Sequence, residues 1–385
     1  MILGVMPNQN ASSQPAPRSP EESLRDQLRH MPEPRRIASV EYPLVEILFV
    51  ALCAMLSGAD AFTEFEEFGQ TREAWFRKFL KLKNGIPSHD TFRNVFSLID
   101  PKQFNRFFIQ WTQGLCKHDG GELIAIDGKS LRGSSKDQAV HLVNAWSSAN
   151  NLVLGQVKTD KKSNEITAIP KLLEQLAIKD AIITIDAMGT QKEIAKQIDE
   201  AGAQYVLSLK DNHPTLREDV ATFMDDPHEA AQMAFHEETD GGHGRVEIRR
   251  YWITGQTRWL DKDWQWSGLC ALGKVERIRE QTGKPPSTEK AYYLCSIAPE
   301  AKLFAHCVRS HWGVENKVHW VLDMTFNEDA CQVHEKTAAS NLSLLRKMTL
   351  NLLRQDPSKG SLKGKRKRAG WDVGFLESLL GITHA

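Results

Sequence analysis

Three carboxylates stand in contexts suited to phosphoryl-transfer chemistry. Asp127 ends the run GELIAID, Asp186 ends AIITID, and Glu315 lies within RSHWGVENKVHWVLDMTFNED. Two aspartates closing apolar strands and a glutamate on a helix could hold a pair of divalent ions, which clamp the attacking and leaving oxygens of such a reaction. In open α/β sheets, ligand sites gather at the carboxyl ends of strands. If the two strands run parallel and adjacent, the two aspartates lie side by side and repel unless a cation joins them. Mg²⁺ suits a site with few carboxylates and room for water and phosphate oxygens. The plainer alternative is that both aspartates are turn or helix-cap residues, which are common after strands.

The glutamate belongs to a pattern of its own. His311, Glu315, His319 and Asp323 recur every four residues, which puts them on one helical face. Trp312 and Trp320 flank that stripe and either wall off a site or face the core. An exposed polar stripe is one alternative, and a zinc site from His311, Glu315 and His319 another, although the HExxH spacing is absent. Lys129 and Arg132 follow Asp127, and Lys210 ends the run QYVLSLK, so all three are candidate contacts to a phosphate backbone. Arg245, Arg249 and Arg250 with Trp252 combine charge and aromatic surface, as suits DNA with unstacked bases. An ordinary charged surface would look the same.

The elements that must position these residues are legible in outline. The chain has 385 residues, 41% hydrophobic and 25% charged, enough for two or three domains with a large core. Its 49 basic and 49 acidic residues cancel, which neither supports nor excludes a nucleic-acid partner. Positive charge clusters at Lys363, Lys365, Arg366, Lys367 and Arg368. Six scattered cysteines form no CxxC pair and suggest neither a zinc ribbon nor a disulfide framework, which fits a reducing cytoplasm. Residues 1–35 are rich in Pro, Ser and charge and are expected to be poorly ordered. PLVEILFVALCAMLSGA is short for a membrane span and contains Glu46, so it reads as a buried helix.

Residues 36–118 read as a helical domain. Ser88 is a plausible N-cap, and His89, Thr91, Arg93 and Asn94 lie on a helix within a pair that resembles a helix-turn-helix, or is plain helical packing. From about residue 119 the order becomes strand, hairpin, helix, strand, helix, strand, helix, with Asn150 and Asn151 at the hairpin turn. This predicts an α/β fold with a mixed sheet flanked by helices. A β-rich insertion at about 228–300 precedes a return to helix, and residues 356–385 form a basic C-terminal tail.

Taken together, IDGKSLRGS, TIDAMGTQKEIA, YVLSLKDNHPTL, HGRVEIRRYW and HWGVENKVHWVLDMTFNED resemble the Asp-Asp-Glu transposases of bacterial insertion sequences. The branch they resemble most contains the H-repeat-associated proteins, and the resemblance runs from about residue 36 to 355. It implies a ribonuclease-H-like catalytic domain over 119–355, with Asp127, Asp186 and Glu315 as the metal-binding catalytic triad. Mg²⁺ would be the cofactor, with Mn²⁺ as a substitute. Double-stranded DNA, as terminal inverted repeats and as target, would be the partner, bound by a homodimer or larger complex, with the N-terminal helices helping to hold the repeats. The wider group often carries Tyr seven residues before its glutamate, Arg four before and Lys seven after. Here those positions are Val308, His311 and Leu322, so this signature, which in the related transposases serves a hairpin cleavage route, is matched only at the glutamate. Arg309, His311, Asn316 and His319 are the residues here that could supply DNA contacts instead. A nuclease that cuts without joining, and a DNA-binding remnant of a decayed element, are the rival functions.

Overall fold

The computed structural model describes residues 23–117, 121–135, 139–159, 165–242, 245–260, 266–281 and 283–382. Residues 1–22 of the segment expected to be poorly ordered lie outside that range. The described part of it carries a short helix, α1 (Leu24–Leu28), capped by Ser23. Helices α2 (Leu44–Leu56), α3 (Phe62–Thr71), α4 (Glu73–Phe76), α5 (His89–Leu98) and α6 (Pro101–Gln113) follow. Helix α2 is apolar all round because every side of it is covered, and twelve of its residues from Leu44 to Leu56 are buried. Its Glu46 has a partner: the carboxylate accepts the Leu82 backbone N–H at 3.1 Å, at a residue with φ 42°. No helix among the described residues is long and apolar enough to cross a membrane. Ser88 caps α5 as its sequence suggests, accepting the Thr91 N–H.

The second half is built on one nine-stranded mixed sheet. Its strands are β1 (Leu123–Leu131), β2 (Val140–Ser147), β3 (Leu152–Thr159), β4 (Ile182–Ile185), β5 (Gln204–Leu209), β6 (Ala234–Gly242), β7 (Arg245–Thr254), β8 (Ala271–Gln281) and β9 (Lys284–Cys295). The order across the sheet is β3-β2-β1-β4-β5-β9-β8-β7-β6. Strands β1, β4 and β5 are parallel. Strand β2 runs antiparallel to β1, and β3 antiparallel to β2. That five-strand block, with helices α7 (Glu165–Leu173) and α8 (Lys192–Glu200) as its crossovers, is the ribonuclease-H-like arrangement. The hairpin turns where Asn151 takes φ 57°. Helices α9 (Pro214–Asp225) and α10 (Pro227–Ala230) lead into β6. The insertion is not a separate lobe, because β9 pairs with β5 and so prolongs the central sheet.

Helix α11 (Ala301–His311), a π-helical turn (Glu315–His319), α12 (Trp320–Phe326) and α13 (Lys336–Gln355) bring the chain back over one face of the sheet. Helix α13 is buried from Ala338 to Leu353 and shares one apolar core with the N-terminal helices and with Ala125, Trp146 and Val153 of the sheet. The other face packs α7, α8 and α9 in a second core. Residues 356–382 do not form a solvated tail. They fold as α14 (Leu362–Trp371) and α15 (Val373–Leu379), with Lys365 and Arg366 buried.

Helix α11 is seated on β8 by Phe304, whose ring lies where a side chain on Gly273 would project. Gly273→Ala therefore overpacks a filled core at a cost of about 1–3 kcal/mol. We expect a melting temperature several degrees lower, read by calorimetry, and a parent-like melt would show that Phe304 moves aside freely.

Candidate metal centre

The two aspartates meet through strand register. Strand β4 pairs with β1 from Leu123↔Ile182 to Ile126↔Ile185 and then stops. The next residues on the two strands are Asp127 and Asp186. Asp127 does not end its strand as the run of apolar residues suggests. It sits mid-strand, paired with Asn144 of β2, and only its β4 neighbour ends there. Asp186 turns the chain out of the sheet and caps the next turn, accepting the Met188 and Gly189 N–H groups at 3.2 and 3.4 Å. It is therefore both cap and site residue. Asp127 accepts its own neighbour's N–H, from Gly128, at 2.8 Å.

Glu315 arrives from the helical side. The π turn keeps Glu315 and His319 paired, with Nδ1 of His319 2.9 Å from Glu315 Oε2 and 3.6 Å from Asp127 Oδ2. Asp127, Glu315 and His319 each offer a ligand atom, and these atoms lie within 4.8 Å of one another. His319 is thus a member of the acid cluster. His311 leaves the proposed stripe: its ring turns to Thr184 Oγ1 at 3.0 Å, so the zinc trio of His311, Glu315 and His319 does not form. Asp323 faces Lys129.

The electrostatics favour a cation. Burial pushes the Asp127 carboxyl up to about 6, His319 opposes that shift, and the charges of Asp186 and Glu315 add to it. Asp186 is also raised, by burial first and then by the nearby Glu165, against the two N–H groups and Lys210. Glu315 is lowered, chiefly by its hydrogen bond from His319. Two half-buried carboxylates held above their ordinary range are what a divalent ion relieves. Carboxylate oxygens suit Mg²⁺ and Mn²⁺, and one imidazole among them is compatible with Mn²⁺. The Glu315 side chain is 61% exposed, so the cluster is open to solvent. The donor set fits a divalent cation.

Behind the cluster lie residues whose parts sequence reasoning missed. Lys129 shares a strand face with Asp127 but is only 7% exposed. Its ammonium pairs with Asp323, lies 3.4 Å from Glu328 and donates to the His319 carbonyl. It is a strut between β1 and the Glu315 segment rather than a free cation for DNA. On the opposite face, Ser130, His141 and the buried Glu165 form a hydrogen-bonded chain under Gly128, where any β-carbon would strike Glu165. Alternation along β1 marks both faces; what covers each face comes from distant segments.

The remaining expected DNA contacts scatter. Lys210 is exposed at the end of β5, close enough to act on Asp186. Arg132 is 84% exposed, 3.6 Å from Asp329. Asn316 is exposed beside Glu315. In the insertion, Arg245 pairs with Glu247, Arg249 with Asp240 and Glu247, and Arg250 with Glu237 and Glu276. Trp252 lies under Lys274. Arg309 reaches Asp240 and Glu238 of β6. Of the signature positions, Val308 and Leu322 are buried and His311 is held by Thr184, its pKa lowered by burial to about 4. Trp312 and Trp320 are 49% and 58% exposed, so neither is core.

Comparisons with known proteins give the family. The family model described as DDE_Tnp_1-associated matches residues 25–112, and the one described as Transposase DDE domain matches residues 118–352. The chain is 39% identical over 373 residues to "Putative transposase YncI" of Escherichia coli O157:H7, across 93% of this chain and 94% of that one. It is 37% identical over 369 residues to "H repeat-associated putative transposase YhhI" of Escherichia coli strain K12, across 93% and 97%. The cryo-EM structure of the piggyBac transposase synaptic complex with hairpin DNA aligns with a TM-score of 0.40 at 11% identity, covering 90% of this chain and 75% of that one.

Proposed function

The chain belongs to the transposase DDE domain family, in the H-repeat-associated branch, and from that premise we propose that it moves an insertion sequence by cut-and-paste transposition. It would bind the element's terminal inverted repeats, hydrolyse phosphodiester bonds at the element ends and join the freed 3′-hydroxyl to target DNA. The observation that supports this reading is the strand register that makes Asp127 and Asp186 the next residues on adjacent strands, with Glu315 and His319 closing on Asp127 from the helical side. Asp127, Asp186 and Glu315 would hold two Mg²⁺ ions, which when bound activate the attacking hydroxyl and neutralise charge on the phosphoryl group.

This chain's own residues do the rest. Asp127 is held within β1, and Asp186 follows directly on β4 and is fixed as the cap of the next turn. Glu315 is placed by a helix held to β1 through Lys129. Lys210 and Arg132, each close enough to act on one of the acids, and the exposed Asn316 would contact phosphates. The exposed ion pairs of Arg309 with Asp240 and Glu238 are weak ones that a phosphate can replace.

The test is a joining assay. Full-length protein, Mg²⁺, a labelled duplex ending in the element's own terminal repeat and a supercoiled target should yield labelled target. Cutting without joined product would assign a nuclease on the same fold. DNA binding without Mg²⁺-dependent cutting would assign an inactive remnant. Two ends are expected in the product complex, held by a dimer or larger assembly.

A further inference from the structure

The densest cluster of positive charge in the chain has no part in the site described above. Residues 363–368 read KGKRKR, five cations with no acid, and the fold divides them into two sets. Lys365 and Arg366 point inward as anchors. Lys365 donates to the Asp356 carbonyl at 2.6 Å and pairs with its carboxylate at 2.9 Å. Arg366 donates to the carbonyls of Met55, Ala59 and Thr325 at 2.8, 2.8 and 2.6 Å, and to Asp60 at 2.6 Å. These bonds fix α14 to the C-terminal ends of α2 and of α12, the helix that continues from the Glu315 turn.

With that side anchored, Lys363 and Lys367 project outward one turn apart, exposed and without a hydrogen bond or ion pair among the described residues. Trp371 continues the row a turn later and is 78% exposed. Lys359, in the loop before the helix, is also exposed. The acids near this row are already engaged: Asp356 with Lys365, Asp372 with Arg368 and as the cap of α15, and Glu377 with Trp75. A rigid helix face with unpaired cations and an exposed indole is complementary to a phosphate backbone and its sugars. Ordinary surface lysines would not need two of their neighbours buried to orient them.

We propose that the outer face of α14, through Lys363, Lys367 and the edge of Trp371, is a sequence-independent docking surface for duplex DNA. It rests on the transposase reading and adds to it a backbone contact outside the metal centre, coupled to α12 through Arg366. The expected partner is the phosphate backbone and not a base sequence, so its loss should weaken specific and unrelated duplexes alike.

The experiment measures duplex affinity of the full chain across a salt series. Two phosphate contacts contribute about 1.8 to the slope of log affinity against log salt. A Lys363→Ala/Lys367→Ala protein should therefore show a slope shallower by about that amount. Between about 50 and 200 mM salt it should lose about tenfold less affinity than the parent. A Trp371→Ala protein, which loses contact but no charge, should bind more weakly with the slope intact. A parent-like slope in the double variant overturns the proposal while leaving the metal centre untouched. A slope change as large in Trp371→Ala also overturns it, since the change would then report a general disturbance. A parent protein that binds no duplex at all, under conditions where it is folded, removes the transposase reading and this surface with it.

Discussion

Asp127→Asn is expected to abolish the proposed Mg²⁺-dependent cutting at the element end and to leave DNA affinity within a few-fold of the parent. Asparagine keeps the shape and can still accept the Gly128 N–H, but it brings no charge to a cation. The expected loss is at least about a thousandfold in rate, equivalent to about 4 kcal/mol of transition-state stabilisation. The same substitution has the opposite sign for the metal-free protein. Asp127 is raised in the fold from its ordinary 3.8 to about 6, mainly by burial. A group whose folded pKa is raised holds its proton more tightly when folded, so the metal-free protein gains stability as pH falls through about 6 and loses that gain above it. The neutral amide removes this cost, so the metal-free variant should melt no earlier than the parent near neutral pH. Mn²⁺ should raise the parent's melting temperature above about pH 6 and progressively less below it, where protons compete for the ligand. In the variant that metal-induced rise should vanish. Parent-like cutting by Asp127→Asn, or an undiminished response of its melt to Mn²⁺, would remove Asp127 from the metal centre.

The chemistry of the site was more legible than its construction. An apolar run ending in an acid is a local signal, and for Asp186 the strand does end there. For Asp127 the same signal misleads, because the end belongs to β4 and not to β1. Two neighbouring strands of different length cannot be told apart by reading one of them. The spacing of His311, Glu315, His319 and Asp323 correctly predicts neighbours on a helix, and Glu315 and His319 do meet. It cannot show that a π turn intervenes, nor that β4 captures His311 and β1 captures Asp323. The insertion's strands were legible as strands, yet their fusion with the main sheet depends on β9 meeting β5, residues 83 to 89 positions apart. Lys365 and Arg366 look like part of a solvated run. Arg366 is held by carbonyls at the ends of α2 and α12, and Lys365 by those of Leu353 and Asp356 at the end of α13, which sequence periodicity does not report.

Lys129→Met tests the part of the site where structure and sequence disagree most. Read along the chain, Lys129 is a cation two residues from the candidate metal ligand Asp127 and thus a candidate DNA contact. In the fold it is the link between β1 and the segment carrying Glu315 and His319. Glu328 is fully buried, and although burial opposes its charge, Lys347, Lys129 and Arg346 hold its pKa below the ordinary 4.5. Its Oε2 has no hydrogen bond among the described residues and lies 3.4 Å from Lys129. Methionine fills the space of the lysine stem but leaves Asp323 and Glu328 short of a cation. Breaking a buried pair this way costs about 3–5 kcal/mol, and the lower end applies here because Lys347 and Arg346 remain. The same loss frees the Glu315 segment to drift from Asp127, and a displacement of about 1 Å is worth about a hundredfold in rate. We therefore expect an earlier denaturant midpoint, weaker Mn²⁺ binding and cutting reduced about a hundredfold, with the salt slope of DNA binding unchanged because no phosphate contact is removed. Lys129→Arg should recover part of each loss, since its charge is kept while its planar fork fits the pocket less well. The opposite pattern, with parent-like stability and metal binding but a shallower salt slope, would return Lys129 to the DNA and show that the helix needs no strut.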